Sequence, residues 1–149
     1  MYKHILIATD GSDLAQKGVE QGLSLAKSLE AKVVALTVTE PFPVYGMAGN
    51  FAWVGSPADI EGYNQSSKEF AQRVLGAAKE AADKMGVQIE IMHADDSTPA
   101  EAILATSESK GCDLVVMASH GRRGLNRILL GSQTLEVVTH SKVPVLVVK

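Results

Sequence analysis

The sequence predicts an α/β fold: a single doubly wound sheet of five parallel strands with helices on both faces. Three observations carry this expectation. Short β-branched runs recur along the 149 residues, and the strongest are apolar on consecutive residues. Such runs mark strands buried on both faces, as in a parallel sheet covered by helices. Helical patterns lie between the runs, and strict alternation of strand and helix implies right-handed crossovers. Neither a composition shift nor an internal repeat divides the chain. Residues 1–149 therefore read as one domain, long enough for a sizeable core.

Taken in order, the first strand is Ile5-Leu6-Ile7. A helix follows over Asp13 to Leu29, with Leu14, Gly18, Leu25 and Leu29 near one face. The second strand is Val33 to Val38. A long helix over Ile60 to Met85 has Phe70, Val74, Leu75 and Ala78 as its apolar stripe. Val87 to Met92 is a weaker strand. Thr98-Pro99-Ala100-Glu101 opens a helix that runs to Ser109. It supplies an N-cap Thr, a proline at the first helical position and a Glu able to close a capping box. Leu114 to Met117 is the fourth strand, Ser132 to His140 a short helix, and Val143 to Val148 the last strand.

Glu40 to Ile60 interrupts this pattern. It holds Phe42, Tyr45, Phe51 and the single tryptophan, Trp53, with three prolines and three glycines. Loops of about 20 residues are uncommon in compact domains. A hydrophobic flap on the domain or on a partner subunit, and a lid over a ligand, are both open readings.

Composition narrows the function classes. Hydrophobic residues are 46% and charged residues 21%, as in ordinary globular proteins. A net charge of -3 argues against nucleic acid as the main partner. The one dense basic patch is Arg122, Arg123 and Arg127. The single cysteine, Cys112, excludes an intramolecular disulfide and reads as a small buried residue at a strand entrance. No stretch approaches the roughly 18 apolar residues of a membrane span. The apolar run Ile5 to Ala8 ends too soon at Asp10 for a signal segment. A cytoplasmic protein without membrane partners is expected.

In an open parallel sheet, ligands bind at the carboxyl ends of the strands. The first strand ends in Ala8-Thr9-Asp10-Gly11-Ser12, the second at Thr37-Val38-Thr39 and the fourth in Ala118-Ser119-His120-Gly121. The loop ASHGRRGLNRILLGSQT is the informative one. Gly121, Gly124 and Gly131 allow close backbone approach and leave amides unobstructed. Ser132 opens a helix whose N-terminus favours phosphate, and it can cap that helix. Arg122, Arg123 and Arg127 can offset anionic charge. A glycine-rich turn with an ordinary Ser cap and solvated arginines fits the local pattern equally well. Asp10 could face a sugar hydroxyl or a phosphate-held Mg²⁺, or accept the amides of Ser12 or Asp13. GxxxxGK[ST] is absent, no GxGxxG follows a strand, and ATDGSD is not an SGGxDS loop.

The segments YKHILIATDGSD, STPAEAILATSESKGCDLVVMASHGRRG and LLGSQTLEVVTHSKVPVLVVK together resemble the universal stress protein family over essentially the whole chain. ATP-binding members of that family carry Gly, two residues, Gly, nine residues, then Gly followed by Ser or Thr. Here Gly121, Gly131 and Ser132 match, and Ala118 replaces the first glycine. A methyl group there could crowd the ribose, or be at odds with a positive φ.

The resemblance implies a Rossmann-like, adenine nucleotide α-hydrolase-like fold. It places Ala8, Thr9 and Asp10 beside the nucleotide and the Val38 backbone near the adenine. Met117, Ala118, His120 and Gly121 match the ribose and phosphate loop. Gly131, Ser132, Gln133 and Thr134 match the phosphate-binding helix start. A homodimer through Val143 to Val148 is implied as well.

His120 beside phosphates could act as an acid, a base or an acceptor. No second residue at a fixed spacing supports it, so a hydrogen-bonding role is expected and no catalytic residue is assigned. His4, His93, His140 and Cys112 lack zinc-site spacing. The leading expectation is a cytoplasmic homodimeric regulator. Its ATP occupancy, with Mg²⁺ carried on the phosphates, tunes interactions with protein partners in the stress response. A slow ATPase or phosphotransfer enzyme, and an interaction module that binds no nucleotide or a cyclic one, are the alternatives.

Overall fold

The strand runs pair as their apolar continuity predicts. In a computed structural model, β1 (His4–Ala8), β2 (Lys32–Val38), β5 (Ile89–Ala94), β6 (Leu114–Ala118) and β7 (Val145–Val148) form one all-parallel sheet. The structure describes residues 1–43, 45–46, 52–53, 55–122 and 129–149, of which 45–46 and 52–53 by backbone alone. The strand order is β5-β2-β1-β6-β7, so the chain reverses direction of travel across the sheet between β1 and β6. Loops that leave those two strands in opposite senses open a crevice at their carboxyl ends.

Side chains of β1 alternate between two helix layers. Ile5 and Ile7 pack with Val19, Leu23 and Ala26 of α1 (Asp13–Leu29) and Leu75, Ala78 and Ala82 of α2 (Pro57–Met85). Leu6 faces the other way, among Ala100 and Ile103 of α3 (Pro99–Ser109) and Val137 of α4 (Ser132–His140). Both faces are therefore covered, as a doubly wound sheet requires. The α1 seam differs from the expected stripe. Ala15, Gly18, Val19, Gly22, Leu23 and Ala26 are the buried residues. Leu25 and Leu29 flank that core only partly buried. The small residues let the helix come close: a Cβ on Gly22 would stand 2.6 Å from Ile7 Cδ1.

Local chemistry sets the ends of the helices. Thr98 caps α3 with Pro99 first and a complete capping box to Glu101, as the sequence predicts. The start of α2 differs from the expected Ile60. Ser56, Pro57 and Asp59 form a second capping box and begin the helix at Pro57. The third sheet strand also lies later than Val87 to Met92, at Ile89–Ala94, because Gly86 and Val87 close the end of α2. Within the expected irregular segment, β3 (Tyr45–Gly46) and β4 (Ala52–Trp53) pair antiparallel. The question of flap or lid over residues 40–60 falls largely outside the described residues. What is described there is anchored: Tyr63 Oη donates to Glu40 O at 2.8 Å, and the Phe42 and Tyr63 rings meet edge to face at 5.4 Å.

Candidate functional site

Three strand ends meet at the crevice, and each contributes main-chain geometry before any side chain. Thr9 is buried after β1; its N–H donates to Leu36 O and its carbonyl accepts from Thr37 Oγ1, both at 2.9 Å. These bonds lock the exit of β1 against β2. The Thr9 hydroxyl accepts from Gly11 N, so it shapes the turn. Gly11 has φ +76°, a conformation that favours glycine. Val38 ends β2 half-buried, and beyond it Thr39 N–H donates to Ala94 O.

Asp10 ties two loops together. Oδ1 accepts from Ser12 N at 3.0 Å, and Oδ2 accepts from Arg122 N at 2.8 Å. The expected bond to Ser12 is present, while the second partner comes from the loop after β6. A carboxylate occupied by two main-chain donors acts first as a brace. Gly121 is needed for this approach, since a Cβ there would stand 2.9 Å from Asp10 Oδ2.

On the other side of the loop, Met117 and Ala118 are buried at the end of β6. Ala118 belongs to the strand, and among the described residues the non-glycine ones with positive φ are Glu30 and Asp96. The structure thus removes the conformational objection to Ala118. Its carbonyl accepts from the buried Thr134 Oγ1 at 3.0 Å, which seats α4 on the strand end. His120 Nδ1 lies 3.0 Å from Ser119 Oγ, and its Nε2 is buried with no hydrogen-bond partner among the described residues.

The start of α4 corrects one expectation. Ser132 is the first helical residue rather than the cap; Gly131 is the N-cap, and no side chain caps the helix. Gly131 N–H donates to Ser119 O at 2.9 Å, and a Cβ on Gly131 would stand 3.3 Å from that oxygen and 3.9 Å from His120 Cδ2. The first-turn amides therefore open beside the orphaned imidazole edge. Gln133 serves elsewhere: its Oε1 accepts from Ala100 N at 2.9 Å, at the beginning of α3. Gly124, Arg123 and Arg127 lie outside the described residues. Arg122 is described, and its guanidinium Cζ sits 4.2 Å from the centroid of the Phe70 ring.

Sequence reasoning missed the part played by α2. Phe70 and Val74 read as core stripe, yet the buried residues of α2 are Ala71, Leu75, Ala78 and Ala82. Phe70 and Val74 border that stripe and reach the two loops. The available signal was their four-residue spacing at its margin. Among the described residues no group of three or more His, Cys, Asp or Glu side chains could hold a metal ion. No helix among them is long and apolar enough to cross a membrane. Cys112 is buried at the opposite, amino end of β6, and burial, aided by the Asp113 and Glu90 charges, pushes its thiol up to about 11.

Comparison with known proteins gives one answer. The sequence model of the universal stress protein family matches residues 1–149. The chain is 36% identical to universal stress protein MJ0531 of Methanocaldococcus jannaschii, over 100% of this chain and 83% of that protein. It is 34% identical to universal stress protein YxiE of Bacillus subtilis, over the full length of both. Among solved structures, the protein MJ0577 superposes with a TM-score of 0.75 at 27% identity, covering 100% of this chain and 96% of that one. A universal stress protein in complex with cAMP superposes with a TM-score of 0.67 at 24% identity, covering 99% and 96%. An AMP-bound family member from Arabidopsis thaliana does so at 0.68 and 19%, covering 99% and 91%.

Proposed function

The chain belongs to the universal stress protein family, and from that premise we propose that it binds an adenine nucleotide, ATP foremost, in the crevice between β1 and β6. The observation that carries this reading is the start of α4. A helix N-terminus without a side-chain cap presents unpaired amides and partial positive charge. Gly121 and Gly131 flank the loop at positions where a Cβ would meet its surroundings at 2.9 and 3.3 Å. The orphaned Nε2 of His120 supplies a further polar atom in want of a partner. An anion at this place satisfies the open amides and the imidazole nitrogen.

In this reading Ser132, Gln133 and Thr134 amides and the Ser132 hydroxyl hold phosphate. Ala8, Thr9 and the Val38 main chain border the base and sugar, with Met117 and Ala118 beneath them. Mg²⁺ would come with the phosphates and neutralise their charge; Asp10, already engaged by two amides, would meet it only through water. Structural relatives described as bound to AMP and to cAMP support an adenine nucleotide as the class. Occupancy of the crevice then tunes protein contacts in the stress response. The reading is one of binding rather than turnover, since among the described residues His120 pairs with Ser119 and with no acidic residue. We also propose a homodimer through β7.

Calorimetric titration with ATP, ADP, AMP and cAMP, with and without Mg²⁺, tests the reading. ATP binding that is abolished by Gly131→Val is expected. Absence of binding by every nucleotide sinks it, and repeated turnover of ATP would convert it to an enzyme.

A further inference from the structure

Arg122 is held at two points. Its main-chain N–H donates to Asp10 Oδ2 at 2.8 Å, and its guanidinium lies over the Phe70 ring at 4.2 Å from the centroid. A cation within about 6 Å of an aromatic face is attracted by the ring quadrupole. Arg73, on the same helix, brings a second guanidinium to 5.9 Å from that ring. Among the described residues no carboxylate pairs with Arg122. A cation placed beside a glycine loop, its guanidinium donors without an acceptor among the described residues, is available to an anion.

The position of Phe70 is itself determined. One turn further along α2, Val74 lies against Gly11, where an added Cβ would stand 2.7 Å from Val74 Cγ2. Successive turns of α2 thus touch the loop after β1 and the loop after β6. Asp10 joins the same two loops from within. The half-buried ring is therefore registered against the crevice through the Val74 side chain seated on Gly11.

From this arrangement we propose that Phe70 is a positioning residue that holds the Arg122 guanidinium for the outer phosphates of a nucleoside di- or triphosphate. The inference rests on the nucleotide-binding reading above. Stacking engages the face of a guanidinium and leaves its edge donors for a phosphate, which they match in pairs. Donors then stand at two ends of the loop: the first turn of α4 beside Ser119 and His120, and the Arg122 guanidinium over Phe70. A single phosphate satisfies one end, while a chain of phosphates spans both. Holding the guanidinium beforehand also lowers the ordering cost of binding.

The test compares affinities for ATP, ADP and AMP in the unaltered protein and in Phe70→Leu, Phe70→Tyr and Arg122→Gln. Leu keeps apolar bulk and removes the ring; Tyr keeps the ring. Phe70→Leu and Arg122→Gln should each lose about three- to tenfold in ATP affinity, with AMP affinity unchanged. Phe70→Tyr should retain both. Arg122→Gln, on an exposed side chain, keeps the test valid if Phe70→Leu misfolds. An equal loss for ATP and AMP, or no loss for ATP, overturns this inference alone. Absence of any nucleotide binding by the unaltered protein overturns the underlying reading together with it.

Discussion

Ala118 is the residue at which the family pattern and this chain disagree, and its surroundings explain why the disagreement is small. It ends β6 at 7% exposure, in a strand conformation that tolerates a side chain. Its buried methyl group points to the face of β6 opposite Met117, and its carbonyl receives Thr134. Gly18 of α1 packs against this strand end without crowding it, since an added Cβ there would make ordinary contact at 3.8 Å from Ala118 N. Restoring glycine would add unfolded-state freedom and remove a buried methyl. Ala118→Gly should therefore lower stability by about 1 kcal/mol while leaving nucleotide affinity unchanged. Urea denaturation and calorimetry measure the two effects separately. A tighter nucleotide complex with no stability loss would show that the methyl group does crowd the sugar.

Elements differ in how plainly the sequence announces them. The bounds of α1 and α4 match those read from the sequence, and the cap of α3 was legible because Thr98-Pro99 acts on its own neighbours. The carboxyl-end crevice was legible because consecutive apolar strands imply a covered parallel sheet. Asp10 bridging to Arg122, and Phe70 beneath that arginine, were not legible, because these contacts join residues far apart in the chain. The start of α2 was missed for a different reason. Pro57 read as part of a loop, whereas Ser56 and Asp59 make it the first residue of a capped helix. Ser56 N–H and Oγ both donate to Asp59 Oδ2, at 3.0 and 2.6 Å, and these bonds hold the Asp59 carboxyl below its ordinary 3.8. A depressed folded value means the contribution is whole above pH 3.8 and lost as pH falls through the lower folded value. Amide exchange in the first turn of α2, corrected for intrinsic rates, should accelerate on acidification into that range. Asp59→Asn should show the faster exchange already at neutral pH, with little further change on acidification.

At the scale of the whole molecule, the two open edges of the sheet are chemically unlike. On β5, Glu90 pairs with Lys110, and such edge charge discourages strand addition. β7 reads VLVV, without a charge between Val145 and Val148, and β6 is its one partner. Exposed apolar side chains border this edge on both faces: Leu146 of β7 at 37% on the face it shares with Val148, and Leu135 and Val138 of α4 at 55% and 43% on the other. An uncharged edge bordered by apolar surface is suited to a second copy of itself. A homodimer formed this way would also set two α4 helices near the shared face, and α4 begins at the crevice. Sedimentation of the unaltered protein should give twice the chain mass at micromolar concentration. Leu146→Lys should give a monomer, whereas Ile91→Lys on the exposed β5 edge should leave the dimer intact. A monomer in all three proteins, or dissociation by Ile91→Lys alone, would remove β7 as the dimer surface.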